Sequence, residues 1–356
     1  MNRKKILILP RYEPLAASSR YRFYQYIPHL NAEGWDVTVK PLLSNNYIKY
    51  LYDKKPLPLG EILLGYFKRI IQLLETNNFD IIWLQQELFP YLPSAFEKIL
   101  VRGKSKIIAD YDDAFFHRYD QNKNFFLRSL LKNKIDSVMD YADMVLAGNN
   151  YILERAKLSS DNVKLFPTVV DINKFINSNP IKDEVFTIGW IGSPGTVNYL
   201  MVIEDALREL SLDRNIKINL IGASKINSTG MSVNYINWDE NTEVEEISKF
   251  DVGIMPLPDN PWERGKCGFK LIQYLSCSLP VVGSPVGVNK EIIINGVNGF
   301  QANNTEEWIK YIRLLKDNRD LIFKMGKNGR RLVEEKYSLN GNVVKLIDYF
   351  NELLQV

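Results

Sequence analysis

Short apolar runs recur along the whole chain, each followed by a turn and then by a stretch with helical spacing. Such runs, lacking polar alternation, read as strands buried on both faces. Strands alternating with helices imply parallel sheets covered on both sides. In the first half, strands are expected at 5–9, 36–40, 81–85, 106–110, 144–147 and 163–166, with helices at 19–33, 61–76, 92–101, 125–141 and 150–157. In the second half, strands are expected at 186–191, 217–221, 233–236, 252–255 and 281–283. Helices there fall at 198–211, 242–249, 269–277, 305–316 and 320–336. Residues 171–182, DINKFINSNPIK, are polar, carry Asn, Ser and Pro, and show no period, which marks a linker. A last amphipathic helix over 339–354 carries Val343, Val344, Ile347, Phe350 and Leu353. The pattern is that of an α/β chain with two domains, 1–172 and 183–337.

Length agrees, since 356 residues make about two domains of ordinary size. With 45 Lys and Arg against 42 Asp and Glu, the net charge of +3 asks for no nucleic acid partner. The opening MNRKKILILP meets Pro10 and Arg11 after five apolar residues, so it predicts a first strand rather than a signal peptide. No window approaches the ~20 apolar residues of a membrane span. Cys267 and Cys277 would lie about 15 Å apart on one helix, too far to bridge. A cytoplasmic chain is expected. No repeat or low-complexity tract appears.

Candidate chemistry concentrates between Asp251 and Phe300. The strand 252–255 runs into a loop broken by Pro256, Pro258 and Pro261. Three cations, Arg264, Lys266 and Lys270, then surround Gly268 before the helix that opens at Phe269. A helix N-terminus at the carboxyl edge of a parallel sheet gathers backbone N–H groups and the positive dipole end, so a phosphate suits it. The alternative is an ordinary crossover unit with a solvated basic loop. The turn after the strand 186–191 reads GSPGT, and its Ser193 and Thr196 are candidates for helix caps or phosphate ligands near Gly192.

The runs DVGIMPL, GFKLIQYL, LPVVGS and GVNGF resemble the donor-binding signature of retaining, nucleotide-sugar-dependent glycosyltransferases of family four. That resemblance covers most of the chain and is strongest over 187–300. It implies the GT-B fold, two Rossmann-like domains facing each other across a cleft, with the helix of 338–356 packed back across the first. It also implies a hexosyltransferase-like enzyme that needs no metal or other cofactor. The donor would be a nucleotide-diphosphate sugar and the acceptor a saccharide or lipid-linked molecule, in bacterial surface polysaccharide synthesis. The family usually carries two glutamates eight positions apart; here Gln273 holds the second place and Gly265 the first, with Glu263 two residues upstream. Gln273 keeps a carbonyl oxygen for ribose hydroxyls. An Arg and a Lys that commonly follow the 192–196 turn are absent, so Arg264, Lys266 and Lys270 are expected to take the diphosphate. Gly222 and Trp238 follow the next two strands, where the base is expected, with Trp238 as stacking platform or packing residue.

In the first half, Asp110, Asp112 and Asp113 cluster at a strand end, with His117 close behind. Clustered carboxylates need compensation. A D-x-D metal site, a turn cap, and the cleft-edge His-Asp of the resembled family are the three readings; the last makes Asp112 and Asp113 candidates beside the transferred sugar. Arg20 and Arg22 occupy the family's acceptor loop and suit an anionic acceptor, the alternative for Arg22 being a solvated helix face. A transferase is the leading reading. A sugar-nucleotide epimerase, with Glu263 as its sole placed carboxylate, or a silent nucleotide-binding module are the alternatives. Two segments, 60–74 and 125–135, mix apolar residues with cations. They suit an anionic membrane surface, hence peripheral attachment at the inner face of the cytoplasmic membrane, or else are core helices with solvated backs.

Overall fold

Six apolar runs of the first half form one sheet: β1 (Lys5–Leu9), β2 (Asp36–Val39), β3 (Ile81–Gln85), β4 (Lys106–Tyr111), β5 (Met144–Ala147) and β6 (Val163–Leu165). The structure is a computed structural model and describes residues 3–101, 103–175, 185–226 and 230–355. The strands lie in the order β2-β1-β3-β4-β5-β6 and every pairing is parallel. A second parallel sheet holds β7 (Phe186–Ile191), β8 (Ile216–Ile221), β9 (Asn234–Ile236), β10 (Val252–Met255), β11 (Val281–Gly283) and β12 (Gly299–Gln301). Its order, β12-β11-β10-β7-β8-β9, is the doubly wound one, with the reversal of winding between β7 and β10. In the first sheet the reversal falls between β1 and β3. The chain therefore has an α/β fold of two Rossmann-like domains.

The two compact units are not contiguous in sequence. One comprises Met1–Thr168, Gly265–Cys267 and Asn340–Val356, the other Val169–Arg264 and Gly268–Leu339. From residue 176 onward the linker expected over 171–182 lies outside the described residues. The core of the second unit gathers Ile188, Trp190, Leu220, Ile254, Ile312 and Trp308, all nearly inaccessible. In the first, Trp83 packs against Phe23, and the helix Leu339–Gln355 brings Phe350 against Trp35 and Trp83, with ring centroids 5.4 and 5.6 Å apart. Among the described residues no helix is long and apolar enough to cross a membrane.

Three expected helices are broken, each for a local reason. The segment 19–33 becomes Ala17–Arg22, a 3-10 turn Tyr24–Tyr26 and Ile27–Ala32, because Phe23 leaves helical geometry and Pro28 offers no amide hydrogen. The segment 125–141 divides into Phe125–Leu131 and Lys134–Tyr141, which turns Lys134 wholly inward. The segment 198–211 begins as a 3-10 helix, Val197–Ile203, before becoming Glu204–Leu210. A helix at Asn45–Tyr52, capped by Ser44, and the short strand β12 carry no periodic signal long enough to be read.

Candidate functional site

In the second unit, the loops after β7 and β8 meet backbone to backbone. Gly222 adopts φ +71, and a Cβ there would fall 2.3 Å from the carbonyl oxygen of Gly192, so any other residue would push the two loops apart. Ser193 N–H donates to Thr196 Oγ1 at 3.2 Å, and that hydroxyl donates back to the Ser193 carbonyl at 3.1 Å. The Thr196 hydroxyl is thus tied to its own turn, and no side chain caps the 3-10 helix that follows.

Across the winding reversal, the helix Phe269–Ser276 starts at Gly268, which sits in the left-handed region at φ +68. Its buried Tyr274 hydroxyl accepts from the backbone N–H of Ile191 at 2.9 Å, fixing the helix to the end of β7. Lys270 consequently reaches the turn after β7. Its Nζ stands 4.5 Å from the centre of the Trp190 ring and 3.4 Å from Thr196 Oγ1. An ammonium over an aromatic face is held by about 0.5–2 kcal/mol, a weak tether for a group that must meet a ligand. One turn on, Gln273 is buried and donates to Glu243 Oε1 at 2.9 Å. Trp238 Nε1 donates to the other oxygen of the same carboxylate. Trp238, Glu243 and Gln273 are therefore one hydrogen-bonded set.

The three cations of the 264–270 loop part company. Arg264 holds Asp259 through Nε and Nη2, at 2.6 and 3.2 Å. Both side chains are about half exposed, and such a pair is worth about 0–1 kcal/mol, so Asp259 alone holds Arg264 only weakly against a competing phosphate. Lys266 belongs instead with the first unit, where its Nζ lies 2.7 Å from Asp113 Oδ2. Asn149 Nδ2 fixes the same loop by donating to the carbonyls of Gly265 and Lys266. Glu263 is buried and accepts from the Tyr199 hydroxyl at 2.8 Å, a link between the loop after β10 and the helix after β7. A cavity of about 610 Å³ opens farther along this edge, lined by Leu257, Ser284, Lys290, Asn303 and Trp308 among others, and by none of the expected donor residues.

In the first unit the structure moves both expected acceptor arginines inward. Arg20 donates to the carbonyls of Pro14 and Leu15, at 2.8 and 3.2 Å. Arg22 is 1 % exposed, neither solvated nor turned to a ligand. It donates to Asp110 and to the Phe166 carbonyl, while Trp83 Nε1 donates to the other Asp110 oxygen. Breaking a buried pair of this kind costs about 3–5 kcal/mol, which makes Arg22 a structural pin. Burial pushes the Asp110 carboxyl up to about 6 against the pull of Arg22. Burial, then the neighbouring charge of Asp113, raises Asp112, which accepts from Gln86. Each aspartate of the cluster is thus engaged with a protein partner. His117 likewise lies between Asp120 and the Tyr151 hydroxyl, at 2.8 and 2.9 Å.

Two sets of contacts escaped sequence reasoning. Glu243 was one acid among several in an amphipathic helix; its adjacency to Trp238 and Gln273 is tertiary. At the β1–β3 reversal, Arg11 Nη1 lies 3.4 Å from Glu87, which also meets Lys134 Nζ at 2.7 Å and accepts from the Tyr119 hydroxyl. Lys134 continues to Glu97 at 3.0 Å. Burial raises the Glu87 carboxyl, but Lys134 and Arg11 outweigh it and hold the group below its usual range. Beside this network Tyr12 stacks on Tyr47, ring centres 6.0 Å apart.

Residues 185–318 match the model of the group 1 glycosyl transferases. No curated protein matches the chain significantly. Among solved structures, a sucrose-phosphate synthase from Thermosynechococcus elongatus superposes with a TM-score of 0.75 at 14 % identity, covering 99 % of this chain and 100 % of that one. HepE of Anabaena, in complex with UDP and glucose, gives 0.73 at 14 % identity over 98 % and 100 % of the two chains. A glycosyltransferase from Rickettsia africae gives 0.69 at 16 % identity over 99 % of each. At these identities the likeness is one of fold.

Proposed function

We propose that the chain is a retaining glycosyltransferase that moves a hexose from a nucleotide-diphosphate sugar to a hydroxyl of a saccharide or lipid-linked acceptor. The observation that carries this reading is Lys270, whose ammonium group stands at the winding reversal beside Thr196 and on the first turn of the helix behind Gly268. A diphosphate there meets a cation, an exchangeable Arg264 and the positive end of a helix dipole. The match of 185–318 to group 1 glycosyl transferases supports it, as does the UDP bound by the similarly folded HepE. Gln273, Glu243 and Trp238 are then the residues for ribose and base, and Gly192 and Ser193 line the approach. A role in bacterial surface polysaccharide synthesis belongs to the same proposal.

In the proposed reaction the bond from the anomeric carbon to the diphosphate oxygen breaks, and the charge left on that oxygen is met by Lys270 and Arg264. The acceptor oxygen bonds the same face of the anomeric carbon, and its proton passes to the departing phosphate oxygen. In this proposal Lys270 and Arg264 do the neutralising, and no divalent ion is called for. Calorimetry in chelator tests this: UDP, GDP or ADP should bind without added metal. Binding that appears only with manganese or magnesium would sink the metal-free reading. Glu243→Gln should weaken nucleotide binding about tenfold, in line with ~1.5 kcal/mol for a charge-assisted hydrogen bond, and lower turnover less. Equal binding by the variant would remove Glu243 from the donor site.

A further inference from the structure

The helix Leu59–Leu74 is amphipathic in the wrong sense for a helix covered only by water. Its inner side holds Arg69, 1 % exposed, which donates to the carbonyls of Pro10 and Lys40, and Tyr66, whose hydroxyl donates to the Pro90 carbonyl. Its outer side carries Leu59, Leu63, Phe67, Ile71 and Leu74, exposed by 71, 71, 61, 45 and 73 %. Their spacing of three or four residues places them in one stripe. Beneath the helix, the buried ring of Phe89 meets both Tyr66 and Phe96, and the neighbouring helix Ser94–Leu100 exposes Ile99. A further apolar cluster, Phe125, Phe126 and Leu130, is exposed on Phe125–Leu131. An exposed apolar stripe of five residues on one helix marks a site of interaction.

Charge chooses the partner. Within 53–75, 92–101 and 123–132, the exposed charged residues are Lys54, Lys55, Lys68, Lys98, Lys123 and Lys132, against Asp53, Glu61 and Glu75. Glu61 already accepts from Ser44 and Asn46. Lys55 and Lys98 hold the exposed carboxylates of Asp53 and Asp140, pairs that solvent screens and that yield readily to other anions. In a symmetric dimer the face would meet itself, and its lysines would find lysines. An apolar stripe rimmed by cations matches hydrocarbon below a layer of phosphates. We infer that this face docks the first unit on an anionic phospholipid bilayer, with Leu63 and Phe67 entering the acyl boundary and the lysines meeting headgroups. The inference stands on the first unit alone and is separate from the transferase reading.

The test is sedimentation with vesicles of phosphatidylglycerol and phosphatidylcholine, and of phosphatidylcholine alone. The intact chain should pellet with the anionic vesicles at low salt and be released at high salt. The double variant Leu63→Glu, Phe67→Glu should cut the bound fraction about tenfold or more, with its unfolding transition unchanged because both side chains face solvent. The proposal fails if the parent stays in the supernatant at low salt, or if the double variant pellets as the parent does. It fails equally if light scattering shows a dimer that the two glutamates split while vesicles bind neither form.

Discussion

Lys270→Ala is expected to lower turnover by about 10² or more while leaving the fold and most of the nucleotide affinity in place. A preorganised cation meeting charge that develops on a leaving oxygen is worth about 3 kcal/mol of transition-state stabilisation, far more than its tether to Trp190 contributes to the ground state. The helix does not depend on this side chain, since Tyr274 and Gly268 hold its position. Lys270→Arg separates placement from charge. The guanidinium keeps the charge but not the compact reach to Thr196, so partial recovery is expected. Progress curves with the nucleotide sugars that bind, read against thermal unfolding of each variant, check it. Full activity in Lys270→Ala would move the diphosphate elsewhere on the sheet edge.

The second large effect is on stability. Lys134 is wholly buried, lies 2.7 Å from Glu87 and 3.0 Å from Glu97, and donates to the Phe89 carbonyl. Lys134→Met keeps the volume but leaves the buried Glu97 carboxylate without its cation and Glu87 with Arg11 alone, a loss of about 3–5 kcal/mol. Burial already holds the Glu97 carboxyl above its usual range, opposed chiefly by Lys134. Without that lysine the folded-state value rises further above the unfolded one, about 4.3. A carboxyl raised on folding contributes stability below its unfolded value and loses it as pH climbs through the folded value. The deficit of Lys134→Met should therefore be largest at neutral pH and shrink toward pH ~4. Urea unfolding followed by tryptophan fluorescence at several pH values measures this. A deficit that does not change with pH would mean packing, rather than stranded charge, is what the lysine supplies.

Strands were legible because parallel strands covered on both faces read as unbroken apolar runs: Ile81–Gln85 and Phe186–Ile191 are buried at every position. Helix continuity was less so, since periodicity over 19–33 outlives the break at Phe23. The basic loop was visible as composition, but where each cation goes was not. Arg264, Lys266 and Lys270 lie within seven residues of sequence, yet they meet an exposed aspartate, a half-buried aspartate and an aromatic ring. Arg22 looked like a solvent-facing cation because its partner, Asp110, is 88 residues away. Glu243 was hidden for the same reason: hydrogen bonds between distant segments leave no local period.

The order in which the chain is made bears on how it can fold. The strands of the first sheet are complete by Leu165, but Phe350, which covers Trp35 and Trp83, is synthesised only after the whole second unit. At ordinary elongation rates that interval is on the order of 10 s, longer than most domains need to fold. Through it the first unit emerges with two tryptophans and the edge that Asn351 and Glu352 later pin to Lys4 and Lys164 still open to other chains. The nascent protein thus passes through a long-lived, sticky half-finished state, and chaperone demand during synthesis should track the delay before this helix arrives rather than the stability of the finished molecule.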